Sequence, residues 1–138
     1  MLRIILSIII GFALGRERKK HDKSGGSRTL AIVCMIACAV AILSTKIEMM
    51  GVTTFNFSRL LAYTIAGISF IGNGVILKYK TNVEGLTTAS SLLACVVIGF
   101  FLGLSFYLYA IFMAVFVYII LDCKYWNFKK LKNNRRYK

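Results

Sequence analysis

From Leu86 to Leu121 the chain runs 36 residues without one charged side chain. Few structures can hold such a stretch. A helix on the surface of a soluble protein needs a polar face, and none is legible here. One helix crossing a bilayer needs only about 20 residues, so the stretch is either one over-long helix or two that turn back on each other. Three shorter apolar runs precede it, Leu2 to Leu14, Leu30 to Leu43 and Leu60 to Leu77, of 13 to 18 residues each. Gly15, Thr29 and Ser44 can extend them. The pattern reads as an all-α integral membrane protein.

Charge decides the count. The chain is 58% hydrophobic and carries a formal net charge of +13, against roughly 45–50% apolar residues in an ordinary soluble domain. In a soluble protein that charge would point to nucleic acid. Here it is grouped between the runs: six Lys and Arg from Arg16 to Arg28, two at Lys78 and Lys80, seven from Lys124 to Lys138. Only Arg3, Lys46 and Arg59 lie elsewhere. With four spans the tail would fall opposite the other basic segments. With five, turning near Gly103-Leu104-Ser105, 15 basic residues share one side and three the other. The positive-inside rule then selects five transmembrane helices, N-terminus outside and C-terminus cytoplasmic. The spans are expected at about 2–15, 29–45, 59–77, 86–103 and 106–121, joined by short connections that make neighbours antiparallel. Residues 1–121 form the transmembrane domain and residues 122–138 a basic, aromatic cytoplasmic tail.

Arg3, an apolar run and Ala13-x-Gly15 imitate a signal peptide. The cluster Arg16-Glu17-Arg18-Lys19-Lys20 resists translocation, so the run is expected to remain as a span. The loop centre Ser24-Gly25-Gly26-Ser27 is expected to be mobile. Cys34, Cys38, Cys95 and Cys123 read as small apolar filler, since the one histidine, His21, lies in a basic loop. In the tail, Tyr125, Trp126 and Phe128 interleave with lysines, as in an anchor at headgroup level that draws anionic lipid.

Membrane helices associate through close backbone contact at small residues. Gly11-x-x-x-Gly15 and Gly99-x-x-x-Gly103 have that spacing, and Ala62-x-x-x-Ala66 is a weaker version enlarged by Gly67, Gly72 and Gly74. Asn73, with Ser69 one turn earlier, suits an interhelical hydrogen bond, or else a polar point on a permeation path. Span 3 is therefore expected to carry the most constrained surface, with Gly72→Leu disruptive and Leu61→Val tolerated. Glu17 has two readings: a solvated interface charge, or a partner for Arg28 that closes the ends of spans 1 and 2. No nucleophile elbow, phosphate-binding loop or metal-ligand cluster is present in the sequence, so neither an enzyme nor a cofactor is expected. The acids number five, Glu17, Asp22, Glu48, Glu84 and Asp122, all at span ends or in loops. One copy therefore makes a poor Mg²⁺ path, because divalent cations want several oxygen ligands.

Three segments resemble the MgtC/SapB family in order and spacing: "GFALGRERK" with "SRTLAIV" after a basic loop, "AGISFIGNGVIL", and "VEGLTTASSL". The resemblance covers roughly residues 2–120. Ser69 stands where the family block usually has glycine and Asn73 where it commonly has alanine, and the chain stops where many relatives add a C-terminal soluble domain. The resemblance points to Gly15, Arg16, Glu17, Arg28, Thr29, Gly67, Gly72, Gly74, Gly85, Leu86, Thr87 and Thr88. It implies a multi-pass bacterial inner-membrane protein tied to low Mg²⁺ and, in some pathogens, to survival inside host cells. The family picture is a regulator of other membrane machinery, including the ATP synthase. The competing readings are a small oligomeric transporter or channel for Mg²⁺ or another cation, with Ser69, Asn73 and Thr88 lining it, and a lipid-associated structural protein. A homodimer fits the small-residue faces. Nucleic acid is not an expected partner.

Overall fold

The computed structural model describes residues 1–20, 26–51, 56–78 and 83–134, with residues 19–20, 77–78, 83–84 and 123–134 as backbone alone. Ser24, Gly25, His21 and Asp22 lie outside the described residues, as do the side chains of Cys123, Tyr125, Trp126 and Phe128.

Five helices follow in order: α1 (Leu2–Lys20), α2 (Ser27–Met49), α3 (Phe57–Val75), α4 (Leu86–Gly103) and α5 (Tyr107–Asn134). The chain has no proline, so nothing in it interrupts a helix by removing a backbone donor. α4 has the expected limits. α3 is displaced two residues toward the N-terminus, and the other three run past their apolar cores: α1 continues through the basic cluster to Lys20, and α5 is 28 residues long against the 16 of its expected span. Lys and Arg are good helix formers, so charge ended the apolar runs without ending the helices.

The helix ends use local chemistry. The Asn56 side chain accepts a hydrogen bond from the Arg59 N–H at 3.1 Å and caps α3. α2 closes with Gly51 in the left-handed region, its N–H donating to the Glu48 carbonyl. α4 closes in a Schellman arrangement: the Phe106 N–H reaches the Phe101 carbonyl at 2.8 Å and the Ser105 N–H reaches Leu102 at 3.1 Å. The left-handed position that glycine usually fills is held by Ser105, φ 70°. One small addition separates α3 from α4, an antiparallel pair β1 (Leu77–Lys78) and β2 (Val83–Glu84), with Leu77 opposite Glu84 and Lys78 opposite Val83.

α2 and α4 form the centre. Leu30, Val33, Cys34, Ala37, Cys38 and Ala41 of α2 are buried against Leu92, Cys95, Val96, Ile98 and Leu102 of α4. α1 packs chiefly on α2, while α3 and α5 each lie along α4. These two are peripheral: α3 buries only Ile68 and Gly72, and Ala110 and Leu121 are the buried side chains of the described part of α5. Their outward faces are apolar, with Phe70 at 81% exposure and Ile120 at 67%. A groove of about 490 Å³ between α4 and α5 is lined by Phe101, Leu108, Tyr109, Phe112, Met113 and Phe116. So much exposed apolar surface belongs against lipid or protein, not water. α2 and α4 are each long and apolar enough to cross a membrane, and Tyr107–Asp122 is a shorter apolar helix.

Candidate functional site

The described polar side chains that are buried gather at two levels of the bundle, Glu17, Arg18, Thr88 and Ser91 at one and Ser7 and Ser44 at the other. Ser7, Gly11, Leu14, Gly15 and Arg18 recur at three- and four-residue intervals and are all buried, so they form one face of α1. Gly11 lets that face approach α2: an added Cβ would sit 2.8 Å from the Ala31 Cα and from the Leu30 carbonyl oxygen. At Gly15 a Cβ would collide with the Ser27 backbone.

Because the helix continues, the same face carries a guanidinium inward. Arg18 is 5% exposed and its Nη2 donates to the Thr88 hydroxyl, which is 1% exposed in the first turn of α4. Ser91, also buried, donates its hydroxyl to the Thr88 carbonyl at 2.8 Å. Glu17 lies beside Arg18 at 7% exposure. A buried guanidinium is costly unless its donors are met. Its placement therefore fixes the rotation of α1 against α4. Gly85 completes this end: its φ is 88°, and a side chain there would strike the Val75 carbonyl. The start of α4 is thereby held against the end of α3.

At the opposite end Arg3 performs the matching task. Its Nη1 donates to the Gly103 carbonyl at 2.9 Å and its Nε to the Tyr107 hydroxyl at 3.2 Å. The start of α1 is tied in this way to the turn between α4 and α5. Neither Arg3 nor Arg18 was singled out from sequence. The available signal for Arg18 was its spacing, seven residues after Gly11 and three after Gly15.

The other expected residues divide. Gly99 and Gly103 make the closest approach of α4 to α2, where added Cβ atoms would lie 2.5 Å from the Cys34 carbonyl oxygen and 2.5 Å from the Ala41 Cβ respectively. Thr87 is half-buried and Leu86 exposed. Arg16, Arg28 and Thr29 are exposed while Glu17 is buried, so the arginine seen crossing to another helix here is Arg18, and it reaches α4. Span 3 differs most from expectation. Gly72 meets Ala89 at an ordinary 3.5 Å, but Gly67 and Gly74 have nothing near them. Ser69 is exposed and bonds to its own helix at the Ile65 carbonyl, 2.8 Å, and Asn73 is exposed. The reason is rotational: α3 turns Ile68 and Gly72 to the bundle, which places 69 and 73 about 100° further round.

Cys34, Cys38 and Cys95 are free thiols in the core. Among the described residues no three His, Cys, Asp or Glu side chains are arranged to hold a metal ion. What the site can do chemically is place charge and hydrogen-bond helices together.

Comparison with known proteins places the chain in a family. Residues 4–129 match the model of the MgtC family. The chain is 31% identical over 127 residues to the putative magnesium transporter YhiD of Escherichia coli K12, covering 88% of this chain and 59% of that protein. It is 28% identical over 140 residues to protein SapB of Bacillus subtilis, covering 98% and 60%. To protein MgtC of Salmonella typhimurium it is 36% identical over 104 residues, covering 75% and 43%. It thus spans about half the length of these relatives. No solved structure matches. A family match over nearly the whole five-helix bundle, including Arg18 and the glycines through which α1 and α4 meet α2, makes this chain a member of the MgtC family.

Proposed function

We propose that the chain is a five-span bacterial inner-membrane protein, basic end in the cytoplasm, that regulates other membrane machinery by helix contact during adaptation to low Mg²⁺. It works without catalysis. The observation that supports this most is the use of two arginines of α1. The half-buried Arg3 and the buried Arg18 both hold α1 to α4, one at each end of the bundle, so these charges serve assembly. The outward face of α3, where the exposed Tyr63 and Phe70 stand among Ala62, Ala66, Gly67 and Gly74, is free for a partner helix. The ATP synthase is the first partner to test, as the family likeness implies, and survival inside host cells is the matching physiological setting.

A second reading is a small oligomeric Mg²⁺ transporter, favoured by the name of the Escherichia coli relative, a putative magnesium transporter. ²⁸Mg²⁺ flux into proteoliposomes under an imposed membrane potential separates the two. Regulation is expected to give flux equal to that of empty vesicles from fully inserted protein. Flux above that level, lost in Asn73→Leu, overturns it. A photo-crosslinker at Phe70 is then expected to capture a subunit of a membrane complex.

A further inference from the structure

The fold brings most of the described basic residues toward one end. The Arg18–Thr88 bond, the Gly15–Ser27 contact and the Gly85–Val75 contact bring together the end of α1, the start of α2 and the junction of α3 with α4. Tyr107 is held by Arg3 at the far end, so α5 returns to the same place. Among the described residues, the segments that meet there contain ten of the 13 Lys and Arg, against three of the four acids.

Charge alone does not name a partner, but the surface beneath it does. On α1, Ile5, Ile9, Phe12 and Arg16 are all exposed. Their spacing of four, three and four residues puts them on one outward stripe. On α2, Arg28, Ile32, Ile36 and Leu43 are exposed on another. Each stripe is apolar along its length and ends in an exposed arginine at the basic end. A partner that matches both parts is an amphiphile with one anionic head and an acyl tail lying along the helix. A soluble acidic protein would match only the charge.

We propose that the basic end of this bundle selects anionic phospholipids, with Arg16 and Arg28 holding the headgroup phosphates and the α1 and α2 stripes holding the acyl chains. Arg18, buried on Thr88, takes no part. This selection is independent of whether the chain regulates or transports.

The test is native mass spectrometry of the purified full chain, titrated in detergent with phosphatidylglycerol or phosphatidylcholine of identical acyl chains. Phosphatidylglycerol is expected to be retained several-fold more, since each cation near a charged surface favours the anionic head by about fivefold. The Arg16→Gln/Arg28→Gln double variant is expected to lose most of that preference with unchanged thermal stability, because both side chains are exposed. Glycerol 3-phosphate at matched ionic strength is expected to leave retention unchanged. Equal retention of the two lipids by the unmodified chain overturns the proposal, and leaves the charge to an aqueous acidic partner. A double variant that folds and keeps the full preference also overturns it. Displacement by glycerol 3-phosphate identifies a soluble-anion site instead.

Discussion

Thr88 shows how much one hydroxyl can decide. Buried in the first turn of α4, it receives the guanidinium of Arg18, while its carbonyl receives Ser91. Removing the hydroxyl takes away a hydrogen bond to a charged group, worth about 1.5–3 kcal/mol. Thr88→Val is therefore expected to lower the unfolding free energy by that amount in detergent, whereas Thr88→Ser, which keeps the oxygen, loses only a methyl contact. Thermal unfolding of the two variants beside the parent checks this; equal loss in both would mean that the methyl group, and not the arginine tie, matters. Arg3 has a less exacting position, being half-buried and bonded to a carbonyl and a phenol.

For whole helices, the decisive quantity is the distance between backbones. α4 approaches α2 through Gly99 and Gly103, and α1 approaches α2 through Gly11 and Gly15. Gly99→Ala places a methyl 2.5 Å from the Cys34 carbonyl oxygen and 2.7 Å from the Ala37 Cβ, and two central helices must separate to admit it. A loss of about 1–3 kcal/mol is expected, as for other over-packed cores. Gly67→Ala on α3 meets nothing within the chain and is expected to stabilise the helix by up to about 1 kcal/mol. Chemical denaturation of both in the same detergent provides the comparison. If Gly67→Ala instead impairs function at full stability, the outward face of α3 is in use by another molecule.

For the molecule as a whole, burial and sidedness can be read from its own cysteines. Cys34, Cys38 and Cys95 lie in the core between α2 and α4, whereas Cys123 follows the last apolar turn of α5. A membrane-impermeant maleimide is expected to label Cys123 in inside-out vesicles and not in intact cells. The three core thiols are expected to react only after unfolding. Peptide mapping of the labelled sites checks both points at once, and labelling of Cys123 in intact cells would reverse the proposed orientation.

The sequence alone determined that the chain forms five helices, and where three of them, α2, α3 and α4, begin and end to within a few residues. Hydropathy and charge are properties of the chain in one dimension: the run Leu86 to Leu121 carries its own outer limits, and the charge count that divides it near Gly103 coincides with the end of α4. The tertiary structure decided which face each helix turns inward, because rotation about a helix axis is set by neighbours and not by the helix itself. That is why identical small residues had unlike fates: Gly99 is pressed on the α2 backbone while Gly67 has open space. It is also why Glu17, for which a solvated interface charge is one reading of the sequence, and Arg18 of the same cluster are buried. Once α1 continues as a helix past Gly15, the face that fits α2 carries Arg18 with it onto Thr88.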